Sequence, residues 1–162
     1  MGYLAPEWLS GVAVTAKADV YSYGMMLLEL VHGKRNIVHC EDSRSTFFPS
    51  LVVDVLTVGG DILGLLDSRL NREACVDEVT KICKVACWCI QDEEESRPAM
   101  SLVERILEGV SDVSMPPIPQ IVTLFVENMG DAVFYTDSPS NRCSLVVSKS
   151  LDGGSQWKSS SS

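Results

Sequence analysis

Positive charge is the scarcest property of this sequence: 13 Lys and Arg stand against 22 Asp and Glu, a formal net charge of −9 over 162 residues. No Lys/Arg block concentrates the basic charge that exists. Phosphate backbones are held by basic patches, so nucleic acid is not an expected partner. Histidine is nearly absent, with only His32 and His39, and neither stands in a finger spacing with the six cysteines. A zinc centre needs about four converging ligands, which this set does not supply. His39 beside Cys40 also lacks a third group that would orient a nucleophile and base. Membrane-length apolar runs are missing: residues 20–31 amount to about half a span and include Glu29. No leader-like stretch and no internal repeat is visible, so the chain is not expected to insert into a membrane, and a cytoplasmic location is expected.

The residues present suit a packed domain. Apolar types make up 46% of the chain and charged types 22%, enough for a core with an ordinary polar surface. The length fits one domain with a tail. Cys83, Cys87 and Cys89 fall inside one helical pattern, with Cys83 and Cys87 on a shared face and Cys89 pointing elsewhere. Reduced, partly buried thiols are therefore expected of Cys83 and Cys87, as in a cytosolic protein.

Periodicity divides the chain into helices. Thr15 stands as N-cap or near-cap of a helix reaching about His32, with Gly33 as its stop. Val20, Tyr23, Leu27, Leu28 and Val31 form its stripe, which Met25, Met26 and Leu30 widen until the helix requires packing on nearly every side. Residues 35–49 read as a loop. Pro49 opens a helix to about Thr57, ended by Gly59-Gly60. Residues 61–70 read as a short helix or turn with Ile62, Leu63, Leu65, Leu66 and Leu70 inward. A further helix covers residues 74–90, with Val79, Ile82, Cys83, Ala86 and Ile90 at intervals of three or four. After an acidic connector, Pro98 opens a last helix whose packing face is Leu102, Val103, Ile106, Leu107 and Val110. Pro116, Pro117 and Pro119 then punctuate the chain, and Ser159 to Ser162 close it. Residues 114–162 are expected to be a largely irregular, flexible tail behind a domain at residues 1–113.

Three motifs in order carry more than pattern. Ala5-Pro6-Glu7 is followed by Asp19-Val20-Tyr21-Ser22-Tyr23-Gly24 and, much later, by Glu95-Ser96-Arg97-Pro98. With Ala86-Cys87-Trp88-Cys89-Ile90-Gln91-Asp92 between them, residues 2–110 resemble the helical C-terminal lobe of a plant receptor-like serine/threonine protein kinase of the S-domain, or G-type lectin, class. The resemblance implies a mainly α fold, an incomplete protein-kinase-like lobe. It implies a bidentate pair between Glu7 and Arg97, tying the end of the activation segment to the core. It gives Asp19 a role in holding catalytic-loop amides. Gly24 would allow close backbone approach, while Tyr23, Trp88 and Trp8 would be packing or structural residues. Gly2, Tyr3 and Leu4, with Ala5, resemble a remnant of the loop that seats the residue after the phosphoacceptor.

Phosphoryl transfer in that family also needs a Gly-rich loop, a lysine with its glutamate partner, a catalytic aspartate, and metal-binding asparagine and aspartate groups. None has a counterpart among these residues. Gly59-Gly60 and Gly153-Gly154 are too short for a phosphate cradle. Asp61, Asp67, Asp92 and Glu93 to Glu95 attract cations without defining a magnesium site. No residue is therefore assigned to catalysis, cofactor or metal; ATP and Mg are expected only in a complete parent kinase, itself a plasma-membrane receptor with this region on its cytoplasmic side. Ser138, Ser140 and the terminal serines are candidate phosphoacceptors in a polar tail. Two functional readings follow, with no autonomous phosphoryl transfer expected: a fragment of a receptor-like kinase, or a noncatalytic module that binds a protein partner or the missing kinase lobe. A third is an incomplete stretch of a longer coding sequence, which upstream coding sequence continuous with Gly2 would favour, or a decayed copy with no selected function.

Overall fold

The computed structural model describes residues 3–10, 13–39 and 45–128, together with 134–135 and 145–146. Helices dominate. In chain order they are α1 (Glu7–Ser10), α2 (Lys17–His32), α3 (Phe48–Val58), α4 (Val76–Cys89), α5 (Met100–Leu107) and α6 (Gln120–Asn128). Short 3₁₀ turns lie at Ile62–Leu65, Ser68–Leu70 and Glu94–Ser96. Residues 1–130 form one compact unit; in a second, residues 131–162, Phe134–Tyr135 pairs antiparallel with Leu145–Val146.

The core is built where α2 crosses α4. Val20, Tyr21, Met25, Leu28 and Val31 from α2 are buried together with Cys83, Ala86 and Cys87 from α4. Gly24 permits that crossing: a Cβ placed there would lie 2.6 Å from the Cys89 Cβ and 2.8 Å from Ile90 Cγ2. Any side chain would force the helices apart, so the absent atom offsets glycine's helix cost of about 1 kcal/mol. All three cysteines of α4 are buried, Cys89 included, because its side chain faces the α2 crossing. Gly33, at φ 70°, ends α2 in the left-handed region with its N–H on the Glu29 carbonyl at 2.8 Å.

Several expectations are corrected. Residues 35–49 are not all loop: β1 (Ile37–His39) pairs antiparallel with β2 (Ser45–Phe47), in the register Ile37 to Phe47. Buried Asn36 supports this turn, donating through Nδ2 to the Met25 carbonyl at 2.8 Å while its own carbonyl accepts from Phe48 N–H at 2.7 Å. α5 starts at Met100 with Ala99 as N-cap, so Pro98 precedes the helix and does not open it. Leu70, Leu102 and Val110 are exposed, and the inward residues of α5 are Val103 and Ile106.

Within the expected tail, residues 114–128 are held against the helices, and Gln120–Asn128 form α6. Three side chains at the end of α4 hold them. Trp88 Nε1 donates to the Ser114 carbonyl at 3.2 Å, and Gln91 Nε2 donates to the Pro117 carbonyl at 3.0 Å. Asp92 Oδ2 accepts from Gln120 N–H at 2.6 Å, at the first residue of α6. That carboxylate satisfies one of the free amides at a helix start and opposes its positive end. α6 then packs along α3, with Val122 buried and the Phe125 ring 4.9 Å from that of Phe47. Ser138, Ser140, Gly153, Gly154 and the terminal serines lie outside the described residues.

Candidate functional site

The densest polar arrangement lies where the first described residues meet the connector after α4. Ala5 is fully buried and its carbonyl accepts from Trp8 N–H at 3.1 Å, starting the single turn of α1. Glu7, at the head of that turn, faces inward. Arg97 meets it with both terminal nitrogens: Nη1 to Oε1 at 2.7 Å and Nη2 to Oε2 at 2.8 Å. The guanidinium is wholly buried and the carboxylate 8% exposed.

Burying such a pair is favourable only if its remaining donors are matched. Here all are. Arg97 Nε donates to the Gln91 carbonyl at 2.7 Å, Nη1 to the Lys17 carbonyl at 3.0 Å and Nη2 to the Asp92 carbonyl at 2.9 Å. These three and the two bonds to Glu7 account for the five N–H groups of a guanidinium. The Tyr21 ring lies beneath, its centroid 5.0 Å from Arg97 Cζ, adding a cation–π contact in a dry environment. The Arg97 hydrogen bonds hold the Glu7 carboxyl below its ordinary pKa, outweighing burial, which pushes the other way. Burial raises the Tyr21 hydroxyl to about 12, helped by the negative charge of Asp92.

Tyr3 and Leu4 run from this anchor along α2. Ser22 Oγ donates to the Tyr3 carbonyl at 2.8 Å, its proton shared with the Ala18 carbonyl at 3.1 Å. The Tyr3 hydroxyl donates to Glu29 Oε2 and accepts from Arg35 Nη1 at 2.5 Å, while Arg35 Cζ stands 5.6 Å from the Tyr3 ring centroid. The bond to Glu29 raises the Tyr3 pKa, since an ionised phenol beside that carboxylate is disfavoured. Glu29 Oε1 also accepts from Asn36 N–H at 3.0 Å, so one carboxylate joins the Tyr3 segment to the turn after α2.

The structure thus gathers Ala5, Pro6, Glu7 and Arg97, with Tyr3 and Leu4 adjoining, and leaves the other named residues apart. Gly2 lies outside the described residues. Asp19 sits exposed in the first turn of α2, its carboxylate without a hydrogen bond among the described residues. Gly24 is at the α2–α4 crossing, and Trp88 is half-buried at the edge of the segment it holds. Trp8 is 56% exposed and is no packing residue in this chain. Tyr21, Lys17, Gln91 and Asp92 complete the site without having been assigned to it from the sequence; the last three contribute backbone carbonyls, which no residue type signals.

A magnesium–nucleotide group does not fit the described residues. Asp61 is paired with Arg72, Asp67 with Arg69 and Asp92 with the α6 amide. No three His, Cys, Asp or Glu side chains converge as metal ligands among the described residues. Gly59 faces open space and Gly60 rests on Val55, so no amide cradle forms there. What the arrangement does chemically is hold a peptide segment rigidly against a helical base.

Comparison with known proteins agrees in kind. Residues 1–107 match the family described as protein tyrosine and serine/threonine kinase. The chain is 60% identical, over 77% of its length, to a G-type lectin S-receptor-like serine/threonine-protein kinase of Arabidopsis thaliana, covering 15% of that protein. It is 46% identical to the G-type lectin S-receptor-like serine/threonine-protein kinase SD2-2 of the same plant, over 77% of this chain and 17% of that one. A third Arabidopsis kinase of the same description is 42% identical over 99% of the chain and 19% of its own length. The chain therefore spans less than a fifth of these curated relatives.

Proposed function

The chain belongs to the protein tyrosine and serine/threonine kinase family, and from that premise we propose that it is the helical base of a receptor-like serine/threonine kinase. In the complete enzyme the γ-phosphoryl group of ATP passes to a protein Ser or Thr hydroxyl. The part played by these residues is positional. Glu7 and Arg97 fix the end of the segment whose Tyr3 and Leu4 border the accepting peptide, and Ser22, Glu29 and Arg35 fix its course along α2. Holding a reactant in place contributes to rate by removing its orientational freedom. The bidentate Glu7–Arg97 contact carries this reading, because it immobilises that segment with every guanidinium donor matched.

Nucleotide gripping, metal placement and proton acceptance from the substrate hydroxyl fall to groups with no counterpart in these 162 residues. The chain alone transfers no phosphoryl group. Its place is the cytoplasmic side of a receptor, where ATP is available, and no helix among the described residues is long and apolar enough to cross a membrane.

A chimaera tests this. Residues 1–128 replace the matching part of the Arabidopsis relative that is 60% identical, behind that protein's own nucleotide-binding half. Magnesium-dependent phosphorylation of a protein Ser or Thr is expected from the chimaera and none from the 162-residue chain. A folded chimaera that binds ATP yet transfers nothing overturns the proposal, as does transfer by the chain alone once trace kinases are excluded.

A further inference from the structure

Ser114-Met115-Pro116-Pro117-Ile118-Pro119 lies beyond the family match at residues 1–107 and is neither helix nor strand. It nevertheless presents one fixed face to α4. Pro116 and Pro119 are buried, whereas Met115, Pro117 and Ile118 are exposed. The two carbonyls held by α4-end side chains, those of Ser114 and Pro117, are likewise three positions apart. A repeat of three is that of a polyproline helix, which shows one edge every third residue and has no internal hydrogen bonds. Residues 112–118 make no backbone-to-backbone hydrogen bond among the described residues.

The receiving surface is preorganised by α4. Gln91 is 7% exposed and commits one amide N–H to the Cys87 carbonyl of its own helix at 2.8 Å, which aims the other at the Pro117 carbonyl. The Trp88 indole supplies the second donor. Proline segments lack N–H groups and are recognised through their carbonyls and rings, on surfaces lined by aromatic side chains. The chain's own segment leaves part of this surface unused. Beside Trp88 an apolar cleft of about 250 Å³ stays open, walled by Val85, Pro98, Leu102 and Ile106. A proline segment with a larger apolar residue in place of Ser114 fills that cleft and makes the same two hydrogen bonds. Displacing residues 114–119 breaks no backbone ladder, so this stretch opens at low cost. We propose that the end of α4 is a binding site for a proline-rich segment of a partner protein, kept closed in the free chain by residues 114–119 acting as a displaceable strap.

The site is read by binding and not by phosphoryl transfer, so this proposal and the preceding one fail separately. The probe is a fluorescent peptide with the sequence of residues 112–121 carrying Ser114→Leu; its control has alanine at every proline. Each is titrated into the full 162-residue chain and into the same chain with Pro116→Ser and Pro119→Ser, which loosen the strap and leave Trp88 and Gln91 in place. The loosened chain is expected to bind the probe about tenfold more tightly than wild type, because a tethered competitor has been weakened. The alanine control should bind either chain about tenfold more weakly than the probe. In the wild-type chain at millimolar probe, the Trp88 indole N–H resonance, assigned with Trp88→Phe, should shift. That measurement decides the matter even where circular dichroism shows the loosened chain unfolded. Equal binding by two folded chains, equal binding of probe and control, or an unmoved Trp88 indole overturns the proposal. So does a dimer in sedimentation that the probe dissociates, since the strap is then exchanged between two copies.

Discussion

Arg97 and Lys17 exchange hydrogen bonds in both directions. Arg97 Nη1 donates to the Lys17 carbonyl at 3.0 Å, and the Lys17 ammonium donates back to the Arg97 carbonyl and, at 3.4 Å, to that of Glu94. The first turn of α2 is therefore fastened to the connector by the same residue that holds Glu7. Thr15, just ahead of the helix, adds a bond from its hydroxyl to Glu94 Oε1 at 2.5 Å. Three stretches distant in sequence converge on one guanidinium.

Removing that guanidinium should be among the costliest single changes in the chain. Arg97→Ala takes the guanidinium from the buried Glu7 carboxylate and from the Lys17, Gln91 and Asp92 carbonyls, for a loss of about 3–5 kcal/mol in urea unfolding. Arg97→Lys keeps the charge but not the fork, and should still lose about 2 kcal/mol or more. A variant within about 0.5 kcal/mol of wild type would show that the pair adds nothing to stability.

The same pair contributes to the acid limb of stability. Glu7 titrates below its ordinary value when folded, so between the two values the unfolded chain binds more protons and stability rises with pH. The contribution is complete above the unfolded pKa and is lost as pH falls through the folded one. Glu7→Gln should flatten this limb in a series of urea titrations. At the alkaline end the sign reverses. Tyr21 moves from 10.0 to about 12, so the unfolded chain releases its proton first and stability falls as pH rises between those values. Tyr21→Phe should remove that decline.

Gly24→Ala separates helix propensity from packing. In a solvated helix the change stabilises by about 1 kcal/mol. Here the new methyl meets Cys89, Ile90 and the Ala86 carbonyl, at 2.6, 2.8 and 3.0 Å. A net loss of about 1–3 kcal/mol in thermal unfolding is expected from overpacking; a gain would mean the α2–α4 contact is looser than described.

The four cysteines among the described residues should react in two classes. Cys75 is exposed, whereas Cys83, Cys87 and Cys89 are buried and burial raises their pKa, Cys83 and Cys89 to about 12. Alkylation at neutral pH, mapped by mass spectrometry, should label Cys75 in minutes and the α4 thiols only on denaturant addition. Early labelling of Cys87 would contradict the packed α2–α4 core.

Asp92→Ala tests whether α6 is held as described. Loss of its bond to Gln120 N–H should cost about 1 kcal/mol and speed amide exchange over residues 120–128. Exchange in α4 should hardly change.

The mainly helical fold was legible because apolar spacing at three and four residues survives in α2 and α4, and glycine marks the end of α2. The β1–β2 ladder was not, since strands of three residues are too short to show alternation and their pairing depends on buried Asn36. α6 was obscured by Pro116, Pro117 and Pro119, and by anchors supplied from Trp88, Gln91 and Asp92 more than 25 positions earlier. At the site, Glu7 and Arg97 belong to motifs visible in the chain. The carbonyls of Lys17, Gln91 and Asp92 that complete the guanidinium's shell have no such mark, because any residue except for its geometry offers the same oxygen.

Arg97 follows Glu7 by 90 positions, which has a consequence for synthesis. As the polypeptide leaves the ribosome, Tyr3 through Trp8 emerge ahead of the connector beyond α4 and cannot be secured until it has cleared the exit tunnel. Closing so wide a loop is slow relative to local helix formation. Tyr3 through Trp8 thus settle late relative to the helices that follow them, and a nascent chain stalled before Arg97 would present them to chaperones and proteases unfastened.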